Sequence, residues 1–320
     1  MTREKRGPAA PLARPPRLRP GSRVAVVAPS GPVPADRLEE GLAILRDWGL
    51  DLVVGLHVLS VHPELDYLAG ADADRAKDLQ AAWCDPSVDA VLCARGGYGA
   101  HRMVDLVDWA AIRAAGPKAF VGYSDITALH EAFALRAGFA TLHGPMVATD
   151  AFLKDPAARE HLRATLFEPE TVRTLGLDTA AALVPGRARG VTFGGCVSLL
   201  AAGTGTPGGR TGARGGLLVI EDTGEEPYRL DGILTRLLRS GALEGVAGIV
   251  CGSWQECGPY EKVRAVLADR FGPLGIPVAE ELGFGHGDAA PTIPLGVPAV
   301  LNAPSEGGRC TLTVEVPALL

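Results

Sequence analysis

A chain of 320 residues exceeds one average domain and argues for two. Its balance, 47% hydrophobic and 21% charged, is that of a globular protein with a large core. A formal charge of -6 leaves no basic stripe for phosphates, and no apolar run reaches the roughly 18–20 residues of a membrane helix, so neither nucleic acid nor membrane is expected as a partner.

Residues 1–21, "MTREKRGPAAPLARPPRLRPG", carry Arg and Pro but no apolar stretch of the secretory kind, and read as a disordered leader. From residue 22 to 154, short apolar runs alternate with amphipathic segments. "RVAVVAPSG" is followed by the helical "ADRLEEGLAILRDWG", "DLVVG" by "ADADRAKDLQAAWCD", and "VDAVLCARGGYG" leads to "KAFVGYSDITALH". That alternation predicts βαβ units and a parallel sheet, with ligands at the carboxyl ends of the strands. Three loops fall there: "APSGP", "ARGGYG" and "GYSD". Residues 155–189 loosen into turn-rich sequence and read as an interdomain connection. Residues 190–320, with "GGLLVIED", "RLDGILTRLLRSG", "VAGIVCGSW" and "YEKVRAVLADRFG", predict a mixed α/β domain. The fold class expected is therefore α/β, a parallel-sheet domain followed by a mixed one.

The six cysteines show no CxxC or paired spacing and read as buried free thiols of a cytoplasmic protein, with neither disulfides nor zinc. "ARGGYGAHR" lacks the order of a dinucleotide loop, no P-loop occurs, and the seven histidines have no metal-ligand spacing. No cofactor and no metal are expected.

What remains is nucleophilic catalysis, which needs a hydroxyl, a base, a carboxylate and an oxyanion site. Ser124 stands where a strand bends into a helix, so the following amide, that of Asp125, faces whatever it attacks. The same serine also serves as an ordinary helix cap. His286, in the glycine-rich "GFGHGDAAPTIPLG", has little local packing to justify it and is the candidate base, against the reading of a solvated loop histidine. Glu221 ends the buried-looking "LLVIE", where a charge must be paired or functional. Asp222, Glu225 and Glu226 read as a solvated turn, and His130 and His143 as packing residues. Cys93 and Cys196 read as buried structural thiols rather than nucleophiles.

Taken together, "VAVVAPSGPV", "ARGGYGAHRMVDLVDW", "FVGYSDITALH", "TLHGPM", "GGCVSLLAAGTGTP", "GGLLVIEDTGEEPYRLDGIL", "GIVCGSW" and "GFGHGDAAPTIPLG" resemble the L,D-carboxypeptidase family of serine peptidases. That family includes murein tetrapeptide carboxypeptidases and microcin C self-immunity peptidases. The resemblance runs from about Arg23 to Asn302. It implies a triad of Ser124, His286 and Glu221 shared between the domains, with an oxyanion hole from the amides of Asp125 and Gly97. It implies release of terminal D-alanine from a murein tetrapeptide in cell-wall recycling, and a homodimer. Arg95 is a candidate for holding the substrate carboxylate, weighed against a structural ion pair. The chain departs from the family at Cys196, where asparagine is usual, and at Gly232, often arginine; both put substrate preference in doubt. Within the family the alternative is an amidase acting on a peptidyl-nucleotide antibiotic. Outside it, the alternative is a non-catalytic two-domain binding protein.

Overall fold

The computed structural model describes residues 9–305 and 308–320. Its strands, in chain order, are β1 (Arg23–Val27), β2 (Asp51–Val54), β3 (Ala90–Cys93), β4 (Ala119–Gly122), β5 (Thr141–His143), β6 (Thr174–Leu175), β7 (Ala181–Val184), β8 (Gly186–Cys196), β9 (Gly216–Thr223), β10 (Gly248–Gln255), β11 (Val278–Glu280), β12 (Ile293–Leu295), β13 (Pro298–Ala303) and β14 (Thr311–Val314).

The first sheet runs in the order β12-β5-β4-β3-β1-β2. The pairings β1–β2, β1–β3, β3–β4 and β4–β5 are all parallel. β3 and β4 are buried at every position, which is why their sequences are continuous apolar runs rather than alternating ones. Helices cover both faces. Ala35–Asp47 buries Leu38, Leu42 and Leu45 on the side of Val24 and Val26. Asp72–Cys84 buries Leu79 and Trp83 on the side of Ala25 and Val27. The i, i+4, i+7 spacing of the three leucines is the apolar stripe that holds the first of these helices to the sheet.

The second sheet has the order β6-β14-β13-β8-β9-β10-β11-β7. Its centre, β8-β9-β10-β11, is parallel, and the strands outside it pair antiparallel. The helices Pro227–Ser240 and Tyr260–Phe271 bury Leu230, Leu234, Leu237, Val263, Leu267 and Phe271 against it. The architecture is thus a two-domain α/β protein, with a parallel sheet and helices first and a mixed sheet second. No helix among the described residues is long and apolar enough to cross a membrane.

Three segments differ from expectation. Of the leader, residues 1–8 lie outside the described residues, but residues 9–21 are ordered. Ala13 N–H donates to Gly138 O at 2.9 Å, Leu12 N–H donates to Gly296 O at 2.8 Å, and Leu18 is buried. An arm with backbone partners in both halves of the chain has no reason to stay disordered. The stretch 155–189 is built into both units. The Asp155 side chain caps the helix Pro156–Phe167, which packs Leu162 and Leu166 into the first core, while β6 and β7 close the two edges of the second sheet. Finally, β12 crosses back to pair antiparallel with β5, and Ala318 and Leu319 join the first core. Elements of two to four residues carry too little periodicity to be read from sequence.

Candidate active site

The loops after β1, β3 and β4 gather at the carboxyl edge of the first sheet, and the strand order reverses between β1 and β3. One side chain ties them together. Buried Asp125 accepts from Ser30 Oγ at 2.6 Å and from Ala100 N–H at 2.8 Å, linking the loop after β1 to the helix start after β3. Burial pushes the Asp125 carboxyl up, and the two donors pull against it. Gly31 N–H donates to Gly96 O at 3.0 Å, and the buried Arg75 guanidinium donates to the carbonyls of Pro29 and Gly99. Asp125 is expected to act through its amide; its carboxylate is in addition the clamp of three loops.

Ser124 opens the turn Ser124–Ile126 that leads into the helix Thr127–Ala132. Its φ is +62°, a left-handed value that costs a side chain with Cβ about 1–2 kcal/mol. The turn therefore holds a serine where glycine would be cheaper, as strained strand-to-helix bends at reactive serines do. The backbone of Gly96 presses on it: a Cβ there would stand 3.1 Å from Ser124 Cβ and 3.3 Å from Oγ. Among the described residues Ser124 Oγ has no hydrogen-bond partner, and neither do the amides of Asp125 and Gly97. Arg95 is exposed and donates to Pro32 O at 3.0 Å; among the described residues no carboxylate lies within ion-pair distance of it.

The second domain supplies the other side. Glu221, on β9, is fully buried, and its Oε2 lies 2.6 Å from His286 Nδ1. Burial pushes the Glu221 carboxyl up, while the hydrogen bond and charge of His286 pull it down. Burial likewise pulls the His286 imidazole down, but the hydrogen bond and charge of Glu221, with the charge of Asp222, outweigh it and hold His286 above its ordinary value. Half-buried His286 packs at 4.7 Å between ring centroids on Tyr123, the residue before Ser124. Its Nε2 makes no hydrogen bond among the described residues. An imidazole held at Nδ1 by a carboxylate, with Nε2 open, can accept a proton there.

Gly285 explains why the base sits in a glycine-rich loop. Its φ is +105°, and a Cβ would stand 2.5 Å from Glu221 Oε2. Gly285→Ala is expected to lower stability by roughly 1–3 kcal/mol and to displace the carboxylate, read as a lower melting temperature together with lost activity.

Asp222 corrects the expectation of a solvated turn. It is buried, accepting from Ser198 N–H at 2.7 Å, Thr223 N–H at 2.9 Å and the Cys196 thiol at 3.1 Å. β9 runs two residues past Glu221, so this charge is inside the sheet's end and not beyond it. Cys196 is buried, its N–H donating to Thr127 Oγ1 at 2.9 Å on the helix that follows Ser124, so the second domain grips the serine's helix. Gly232 lies exposed with open space around it. Of the cysteines five are buried, but Cys84, at the end of its helix, is exposed.

Fold and site together define a two-domain α/β protein with a buried carboxylate–imidazole pair from one domain facing a strained serine turn from the other. The chain belongs to the LD-carboxypeptidase family: residues 24–144 match the LD-carboxypeptidase N-terminal domain and residues 189–301 the LD-carboxypeptidase C-terminal domain. It is 65% identical over 308 residues to a Streptomyces coelicolor protein with a provisional carboxypeptidase name, covering 96% of this chain and 98% of that one. It is 35% identical over 298 residues to the murein tetrapeptide carboxypeptidase of Pseudomonas aeruginosa, covering 90% of this chain and 94% of that one. Among solved structures, the muramoyltetrapeptide carboxypeptidase of Oxalobacter formigenes superposes with a TM-score of 0.78 at 28% identity, covering 92% of this chain and 99% of that one. The microcin self-immunity protein MccF bound to glutamyl sulfamoyl guanosine shares the fold, with a TM-score of 0.81 at 20% identity over 96% of this chain and 99% of that one.

Proposed function

We propose that the protein is a serine L,D-carboxypeptidase that releases terminal D-alanine from a murein tetrapeptide. The observation that carries the reading is the 2.6 Å hydrogen bond from His286 to buried Glu221, beside a serine held in a left-handed turn. In this reading His286 Nε2 takes the proton of Ser124 Oγ as the oxygen attacks the carbonyl of the L-centre. Glu221 keeps the Nδ1–H tautomer and stabilises the imidazolium. The amides of Asp125 and Gly97 receive the oxyanion. His286 then protonates the departing D-alanine amine, and a water, deprotonated by the same nitrogen, frees the acyl group from Ser124. Arg95, with no carboxylate in ion-pair distance among the described residues, is the group to hold the substrate's terminal carboxylate bidentately. Names of relatives at 35–37% identity, murein peptide and murein tetrapeptide carboxypeptidases, support the substrate class.

The test is incubation of the purified chain with L-Ala-γ-D-Glu-diaminopimelate-D-Ala, with chromatography of the products. Equimolar tripeptide and D-alanine are expected; no turnover of this or any other L,D-amide defeats the reading. The pH profile carries a second expectation. The base must be neutral, and His286 is held above the ordinary imidazole value of 6.5. kcat/KM is therefore expected to fall as pH drops through a midpoint above 6.5, measured as the acidic limb of its profile.

A further inference from the structure

One buried histidine is unused by that chemistry. His143, on β5, is 2% exposed, and neither of its ring nitrogens has a hydrogen-bond partner among the described residues. The other oxygen of Glu221, Oε1, is likewise buried and unpartnered. The two orphans face each other: His143 Nε2 lies 3.8 Å from Glu221 Oε1. That separation is longer than a hydrogen bond, and a water about 2.8 Å from each atom fits beside the line joining them, so the two are linked by a small approach or through one water.

Hydrogen-bond accounting calls for one or the other. A buried carboxylate with one donor is costly, and Glu221 has one side-chain donor, His286. Burial, with the neighbouring His130 and His286, keeps His143 well below the ordinary imidazole value, so it is neutral and carries one N–H. On Nδ1 that hydrogen faces no acceptor among the described residues; on Nε2 it faces Oε1, 3.8 Å away. The groups facing the pair are Tyr123, His130, His286 and Phe284 around His143, with Asp222 beside Glu221. Among the described residues none of them bonds either orphan atom.

We infer that His143 is a positioning residue for the hydrolysis, donating Nε2–H towards Glu221 Oε1, directly or through one water, so that Oε2 stays directed at His286. The placement gives this a purpose. His143 pairs in register with Gly122, two residues before Ser124, on one side, and with Ile293, in the strand after the His286 loop, on the other. A contact from His143 to Glu221 therefore ties the carboxylate of the second domain to the strand paired beside the one that leads into the serine turn. The inference rests on the hydrolase reading above for its catalytic consequence, but not for the bond itself.

The test uses the full chain and two variants. His143→Phe removes the donor and keeps a ring; His143→Gln returns an N–H near the Nε2 position. Loss of the donor destabilises the state in which Glu221 is ionised and His286 neutral, so protonation becomes easier. In His143→Phe, kcat is expected to fall roughly 10- to 100-fold with KM little changed, and the acidic limb to move to higher pH. In His143→Gln, kcat and the limb should return towards wild type. A limb that stays in place while activity follows melting temperature in both variants would mean packing alone and overturn the inference. An independent readout needs no substrate: long-range 1H–15N spectra of histidine-labelled protein. The neutral Nε2–H tautomer is expected for His143, with its resonance displaced in Glu221→Gln; the Nδ1–H tautomer overturns the inference. Failure of wild type to cleave L,D-amides would instead defeat the proposed function and leave the tautomer result standing.

Discussion

Ser124→Ala is expected to reduce D-alanine release by roughly 10⁴- to 10⁶-fold while substrate still binds. The change is local. Alanine keeps Cβ, so the turn at φ +62° and the crowding against Gly96 persist, and only Oγ is lost. The clamp through Asp125 to Ser30 and Ala100 does not involve that oxygen. Residual rate would come from water attacking in the same oxyanion site, which is why a finite floor is expected rather than zero. Calorimetry on the variant should give an affinity close to the wild-type value. A two-domain binding protein would show that same affinity but no turnover in the wild type. Equal turnover by wild type and variant would move the nucleophile elsewhere.

The second large effect is expected at Glu221→Gln, with kcat lower by roughly 10⁴-fold. The amide is the same size, so the pocket beside Gly285 stays filled, but it offers His286 Nδ1 either an N–H or a weaker acceptor. The first choice turns the imidazole over and points an N–H at Ser124, where a lone pair is needed. The pH profile separates this from simple misfolding. His286 stands above its ordinary value because Glu221 outweighs burial; with that charge gone, burial dominates. The acidic limb should therefore shift to lower pH in Glu221→Gln, opposite in sign to His143→Phe. A limb that does not move would contradict the pairing of these two residues in catalysis.

The parallel order of the first sheet was legible because β3, β4 and all of β1 after Arg23 are buried, and burial of that kind writes itself as a continuous apolar run. Glu221 stood out as a charge ending a buried-looking strand, whereas Ser124 and His286 each also read as ordinary, a helix cap and a loop histidine, until the distant segments were taken together. The structure joins Glu221 to His286 and sets His286 against Tyr123; no hydrogen bond closes Ser124 to His286. Asp222, His143 and the carboxylate of Asp125 were not legible. Thr223 beside Asp222 aside, their partners lie 24 residues or more away in sequence and meet them only when two sheets and three loops close together. β12 hid for a different reason, since three residues cannot announce which of two sheets they will join.

On the proposed function, this site cuts an amide whose leaving residue is D. A D-residue exchanges hydrogen and methyl at its α-carbon, so a wall shaped for one hand meets the methyl of the other. The measurement is kcat/KM of the purified chain on two tetrapeptides, L-Ala-γ-D-Glu-diaminopimelate ending in D-alanine and its diastereomer ending in L-alanine. A preference for the D-ended peptide of roughly 100-fold is expected. Equal rates, or faster cleavage of the L-ended peptide, would contradict it.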